Sequence, residues 1–244
     1  MTTPATVTPA PKPAPVWEDF VDIFYAPRQV FERRRDGKFG LPFFILLVLA
    51  ALLLFLTKPL MQPVYDAIIE MGMAQMRASN PQVTEEMVTR ARGMSDTFLL
   101  PGIVFNLAIA ILLSGLALWL VGKLFDSRQT ASQALMVSTF ANVPRLILGT
   151  ITSALLALLL PAESLDSPYA AMLSPARLVD PKTAPVLAAA LMRVEVFTIW
   201  ATVLLGIGLY VTGKVTARQA AIAAAIVWLL GGLAGVAGAL RSAG

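Results

Sequence analysis

Two side chains in this sequence could do chemistry away from water. Arg145 follows Pro144 in "ANVPRLILGT", a polar interruption of an apolar run that also holds Asn142. Glu195 stands in "LMRVEVFTIW", two residues after Arg193. An arginine at the centre of a bilayer costs about 2.5–3.5 kcal/mol on insertion scales, so it turns inward and seeks a partner. Leu, Ile, Val and Phe in the same run return about 0.3–0.6 kcal/mol each, so insertion still proceeds. Asn142, Pro144, Arg145, Arg193 and Glu195 could form part of a permeation or lipid-headgroup path, or a clamp between two helices. Asn106 is a second candidate partner for Arg145. A single pair without a chain of acidic residues favours the clamp, since a proton pump needs a relay.

Other chemistries fall away by residue type. The chain has no His and no Cys. Disulfides, thiolate or imidazole metal sites and His-based catalysis are therefore excluded. An intramembrane enzyme would have to work with carboxylates alone, and no acidic cluster lies in the apolar segments. No cofactor is expected. The net charge is +4, without a basic stripe interleaved with aromatics, so nucleic acid is not an expected partner.

The elements that must position these residues are membrane helices. Of 244 residues, 57% are hydrophobic and 14% charged, and the mean hydropathy is +0.73. Soluble domains carry nearer a quarter charged residues. Five apolar segments approach the ~20 residues a crossing requires. They lie at about 41–57, 98–122, 135–160, 190–213 and 220–240. The expected fold is all-α: a polytopic five-helix bundle over 41–240, preceded by a disordered Pro/Thr/Ala-rich tail at 1–16 and an amphipathic segment at 17–40. The first span should close at Lys58-Pro59, because proline removes a helix hydrogen bond.

The fourth span decides the pair. If its helix begins near Pro185, Glu195 lies about ten residues in at 1.5 Å each, near mid-depth with Arg145. An Arg145–Glu195 pair then follows. If it begins at Val194, Glu195 is interfacial and meets Arg193 or water. The fifth span carries "LLGGLAGVAGAL", where Gly231, Gly235 and Gly238 could let another helix approach closely, within the bundle or in a second copy.

The flanking segments have their own patterns. In "VWEDFVDIFYAPRQVFERRRDGKFG", Trp17, Phe20, Phe24 and Phe31 recur at near-helical spacing, and Pro27 should split the segment in two. The apolar side lies either in the membrane interface or against the protein's own helix ends. Lys and Arg concentrate before the first span and in the two short connectors, which places the N-terminus in the cytoplasm and the C-terminus outside. The loop at 58–97 should form a helical hairpin resting on the bilayer surface or on the spans. Its second helix is capped by Thr84, stapled by Val83 and Val88, and stopped at Gly93. Ser167-Pro168, Ser174-Pro175 and Asp180-Pro181 each read as the start of a short helical turn.

Three stretches together resemble the Yip family of Ypt/Rab-interacting membrane proteins, in its bacterial branch. "FVDIFYAPRQVFE" has Pro27, Val30 and Phe31 in the family's Pro–x–x–Val–Phe manner. "ANVPRLI" has the mid-span proline. "VEVFTIWATVLLGIGLYVTGKVTARQAA" places Glu195, Phe197, Trp200 and Gly208 in the family's acidic–Phe–Trp–Gly pattern. The resemblance implies a non-enzymatic membrane-organising or scaffolding protein of the bacterial inner membrane. Its partners would be the lipid bilayer and other membrane proteins or a second copy. The Asp-Leu-Tyr-Gly-Pro signature of the eukaryotic members is absent, so binding of a Rab-type GTPase is not carried over. A small transporter or channel for an ion, solute or lipid, working through Pro144, Arg145 and Glu195, is the alternative.

Overall fold

A computed structural model describes residues 15–80, 82 and 84–243. The tail expected at 1–16 therefore falls almost wholly outside the described residues, as does Val83 of the expected staple. All regular structure among the described residues is helical, and five helices are long and apolar enough to cross a membrane. This is an integral membrane protein.

Two short helices open the chain, α1 at Val16–Asp22 and α2 at Pro27–Arg33. Pro27 sits in the first turn of α2, where its missing N–H costs nothing. Phe20, Ile23, Val30 and Phe31 are buried in the main core, and Phe20 meets Phe140 edge-on at 5.7 Å. Of the two expectations for this segment, packing against the bundle is the one these four residues follow. Trp17 and Tyr25 instead remain 67% and 70% exposed.

The first two spans are longer than the apolar runs suggest. α3 covers Gly40–Ser79, and α4 covers Glu85–Lys123. The expected stop at Lys58-Pro59 does not occur: α3 runs on through Pro59 and Pro63. Packing outweighs the lost hydrogen bonds. Val64 is buried with Leu165, Ala170 and Ala171, and Leu156 and Leu160 from the end of the third span close over them. Gly93 and Pro101 likewise lie inside α4. The expected surface hairpin is thus the continuation of the two spans themselves. Thr84 does cap α4, accepting from the Met87 N–H at 3.3 Å.

α5 spans Ala131–Leu159 and starts with a capping box between Thr130 and Gln133. Ser138 ties it to α4 through the Ile111 carbonyl at 2.7 Å and the Ser114 hydroxyl. The long connection that follows holds the expected turn at Ser174-Pro175, where the Ser174 hydroxyl accepts from the Ala176 N–H. The expected fourth span is two helices, α6 at Pro185–Met192 and α7 at Val196–Gly213. α6 packs along α8, which covers Ala217–Ala243. α7 lies between α5, α8 and α2.

The connectors at the α1/α2 end are stitched together. The Arg128 N–H donates to the Gly213 carbonyl at 2.9 Å, and Gln129 donates to Thr212 at 2.7 Å. The Lys123 ammonium donates to the carbonyls of Ser127 and Gln129. α5 and α7 therefore begin and end level with each other at this end.

Candidate functional site

The break between α6 and α7 is made by Glu195. Its side chain is the N-cap of α7, accepting from the Phe197 N–H at 2.9 Å, the Thr198 N–H at 2.6 Å and the Thr198 hydroxyl at 2.7 Å. A carboxylate here satisfies orphan backbone donors and faces the positive end of the helix dipole. Glu195 is thus not inside a continuous helix, as a start near Pro185 would require.

Arg193 locks the break onto α8. Its Nη2 donates to the Trp228 carbonyl at 2.6 Å, and the Trp228 indole N–H returns a bond to the Arg193 carbonyl at 3.0 Å. The guanidinium lies 5.6 Å from the indole centroid, within cation–π range. Gly231 and Gly232 let it lie flat: a Cβ on either would stand 3.2 Å from an Arg193 nitrogen. Gly231 therefore faces a side chain here, and Cβ atoms at Gly235 and Gly238 would meet nothing within 4 Å. Replacing Trp228 by phenylalanine keeps a ring for the cation but removes the indole donor. We expect a loss of about 1 kcal/mol in detergent unfolding assays, and a similar loss when Arg193→Ala is already present, because the indole bonds the backbone carbonyl of residue 193, which alanine keeps. A loss that vanishes in the Arg193→Ala background would show that the indole bond depends on the Arg193 side chain.

Arg145 is half-buried on α5 and makes no hydrogen bond or ion pair among the described residues. Gly149, one turn further along, has Phe197 beside it at 3.6 Å from a built Cβ, which places this face of α5 toward the start of α7. Arg145 lies in electrostatic range of Glu195, and Arg193 in range of Arg145. The expected direct Arg145–Glu195 pair is not formed, because the α7 N-terminus occupies the carboxylate. Pro144 is buried, and Asn142 donates to the Ser138 carbonyl at 2.9 Å. Asn106 is exposed on α4, beside Gly102 in a shallow surface depression, and makes no bond to Arg145.

A second polar cluster went unread in the sequence. Asp19 is fully buried, and its two oxygens take Arg33 at 2.6 Å and Arg34 at 2.5 Å. Arg33 also reaches Asp22 at 2.5 Å, and the Tyr25 hydroxyl donates to Asp22 at 2.6 Å. The Tyr25 and Arg33 hydrogen bonds hold the Asp22 carboxyl below its ordinary value of 3.8. Burial works against the charge on Arg33, but Asp22 and Asp19 outweigh it and raise its pKa. The signal was present: two acids three apart on one helix face, and two arginines after a proline break that folds the chain back.

The model of the Yip1 domain matches residues 21–239. The chain belongs to the Yip1-domain family. Neither the curated proteins nor the solved structures compared with it gave a match. In this Yip1-domain protein the residues that carried the resemblance all have structural work. Pro27 starts α2, and Val30 and Phe31 enter the core. Glu195 caps α7, Trp200 meets Phe24 edge-on at 6.2 Å, and Gly208 admits Val137 from α5.

Proposed function

We propose that this Yip1-domain protein is non-enzymatic and organises membrane or protein assemblies through helix and lipid contacts. The observation that supports this best is how the buried polar side chains are used. Glu195 caps a helix, Arg193 binds α6 to α8, and Asp19 binds α1 to α2. These groups join elements to each other, as a clamp requires. Membership of a family whose members are in general non-enzymatic membrane-trafficking proteins supports the same reading. The Lys and Arg distribution supports an N-terminus in the cytoplasm and a C-terminus outside, and the bacterial inner membrane rests on the resemblance to the family's bacterial branch. One observation favours the alternative, a small transporter or channel for an ion, solute or lipid. It is the guanidinium of Arg145, which has no hydrogen bond or ion pair among the described residues.

Photo-crosslinking in native membranes separates the two. Crosslinkers replace Trp17 and Met94, both exposed. An organiser gives one defined adduct with a membrane protein or a second copy from at least one position. Lipid adducts alone at both positions, together with solute or lipid flux in reconstituted vesicles that Arg145→Ala abolishes, would sink the organising role.

A further inference from the structure

We propose that Arg145, with Arg193 beside it, binds a single phosphate group at the mouth between α5 and the α6–α7 break. The phosphate belongs to a phospholipid headgroup or to a phosphate-bearing solute. The argument starts from a deficit. A guanidinium offers five N–H donors, and in hydrocarbon each needs an acceptor. Arg145 has none among the described residues, and its nitrogens are not sealed in the interior. Glu195, the carboxylate in electrostatic range, does not answer this need. Glu195 already accepts three hydrogen bonds from the first turn of α7 and stands beyond ion-pair distance.

Arg193 deepens the deficit. Its Nη2 is committed to Trp228, and its Nε is buried without a partner. Arg145 is in electrostatic range of both Arg193 and Glu195, so two guanidinium groups and one carboxylate leave a net charge of about +1 in a medium of low dielectric. A phosphodiester brings one negative charge and several oxygens in the geometry a guanidinium fork matches. A neutral headgroup supplies no such charge.

Depth makes a headgroup reachable. Arg145 lies fourteen residues along α5, about 21 Å from its start at 1.5 Å per residue. Taking the start of α5 as the near boundary, a hydrocarbon core of about 30 Å leaves roughly 9 Å to the far one, which a long side chain largely spans by snorkelling. α7 has only 18 residues, about 27 Å, and so favours local thinning at that end. The mouth is open there, since α6 turns away to α8 and leaves Val194 and Val196 about half exposed.

This inference names a ligand for the Arg145 cluster and does not rest on the organising role, whose test is read at Trp17 and Met94. The purified full chain in a neutral maltoside detergent is offered phosphatidylglycerol or a phosphate-free galactosyl diacylglycerol with the same acyl chains. Retained lipid is counted by native mass spectrometry. Wild type should keep one phosphatidylglycerol per chain and no galactolipid. Arg145→Gln should weaken retention roughly tenfold or more, the effect of losing a charged hydrogen-bond pair. Glu195→Gln should shift retention the other way, because it removes the competing charge. Displacement by millimolar inorganic phosphate would identify a soluble phosphate as the source, and resistance to it a lipid headgroup. Equal retention of both lipids, unchanged retention in Arg145→Gln, or weakened retention in both variants would overturn the proposal.

Discussion

Replacing Asp19 by alanine should detach α1 and α2 from the bundle and lower stability by about 3–5 kcal/mol, the range for removing one partner of a buried ion pair. The carboxylate is fully buried, and Arg33 and Arg34 are each about one-fifth exposed. Removing Asp19 takes the buried carboxylate from two largely desolvated guanidinium groups, with Asp22 still on Arg33. The loss spreads, because Phe20 on α1 and Phe31 on α2 are core residues packed among α5 and α7 side chains. Two measurements check this: the thermal midpoint in detergent, and the rate of tryptic cleavage after Arg28 and Arg35. Asp19→Asn should fall between wild type and alanine, since it keeps the shape and loses the charge. Acid should mimic part of the effect. Asp22 has a folded pKa below 3.8, so its contribution is complete above that pH. It is lost as pH falls through the lower folded value. Cleavage rates and midpoints unchanged in Asp19→Ala would reject the clamp.

Gly208→Ala should cost about 1–3 kcal/mol, the usual price of overfilling a well-packed core. A Cβ at this position would overlap all three side-chain carbons of Val137 on α5. Both residues are buried, and neighbouring Leu204 and Leu209 are in the same core. The side chain in the way is β-branched and stiff, so it cannot swing clear. Helices α5 and α7 must then separate along their shared seam, which also carries the Arg128–Gly213 and Gln129–Thr212 bonds. The decisive measurement is a double-mutant cycle. Val137→Ala alone should destabilise by opening a gap, yet in the Gly208→Ala background it should restore stability. Additive losses would mean that the helices do not meet at this point.

Much of the architecture was legible in composition and pattern. The five spans, the break at Pro27 and the Thr84 cap follow from chemistry local to a few residues. The helix lengths did not follow, because proline counts as a stop until packing is known. Pro59 and Pro63 stay helical because Val64 beyond them has a partner in the Leu165–Ala171 turn, about a hundred residues away in the chain. The site was half legible. Arg145, Arg193 and Glu195 stand out as charges in apolar surroundings, but their pairing depends on where α7 begins. That start is set by hydrogen bonds from Phe197 and Thr198 to Glu195, which compete with any bond to Arg145.

By itself the sequence determined the solvent of this protein. Long apolar runs require a helical bundle in a bilayer, and the lack of His and Cys excludes disulfides, thiolate or imidazole metal sites and His-based catalysis, because these are sums over residue types. Only the tertiary structure decided which charges are neutralised. Asp19 meets Arg33 and Arg34, Arg193 meets Trp228, and Arg145 meets no residue described. The reason is range: hydropathy acts through the average surroundings of each segment, whereas an ion pair needs atoms within 4 Å and so depends on how distant helices pack.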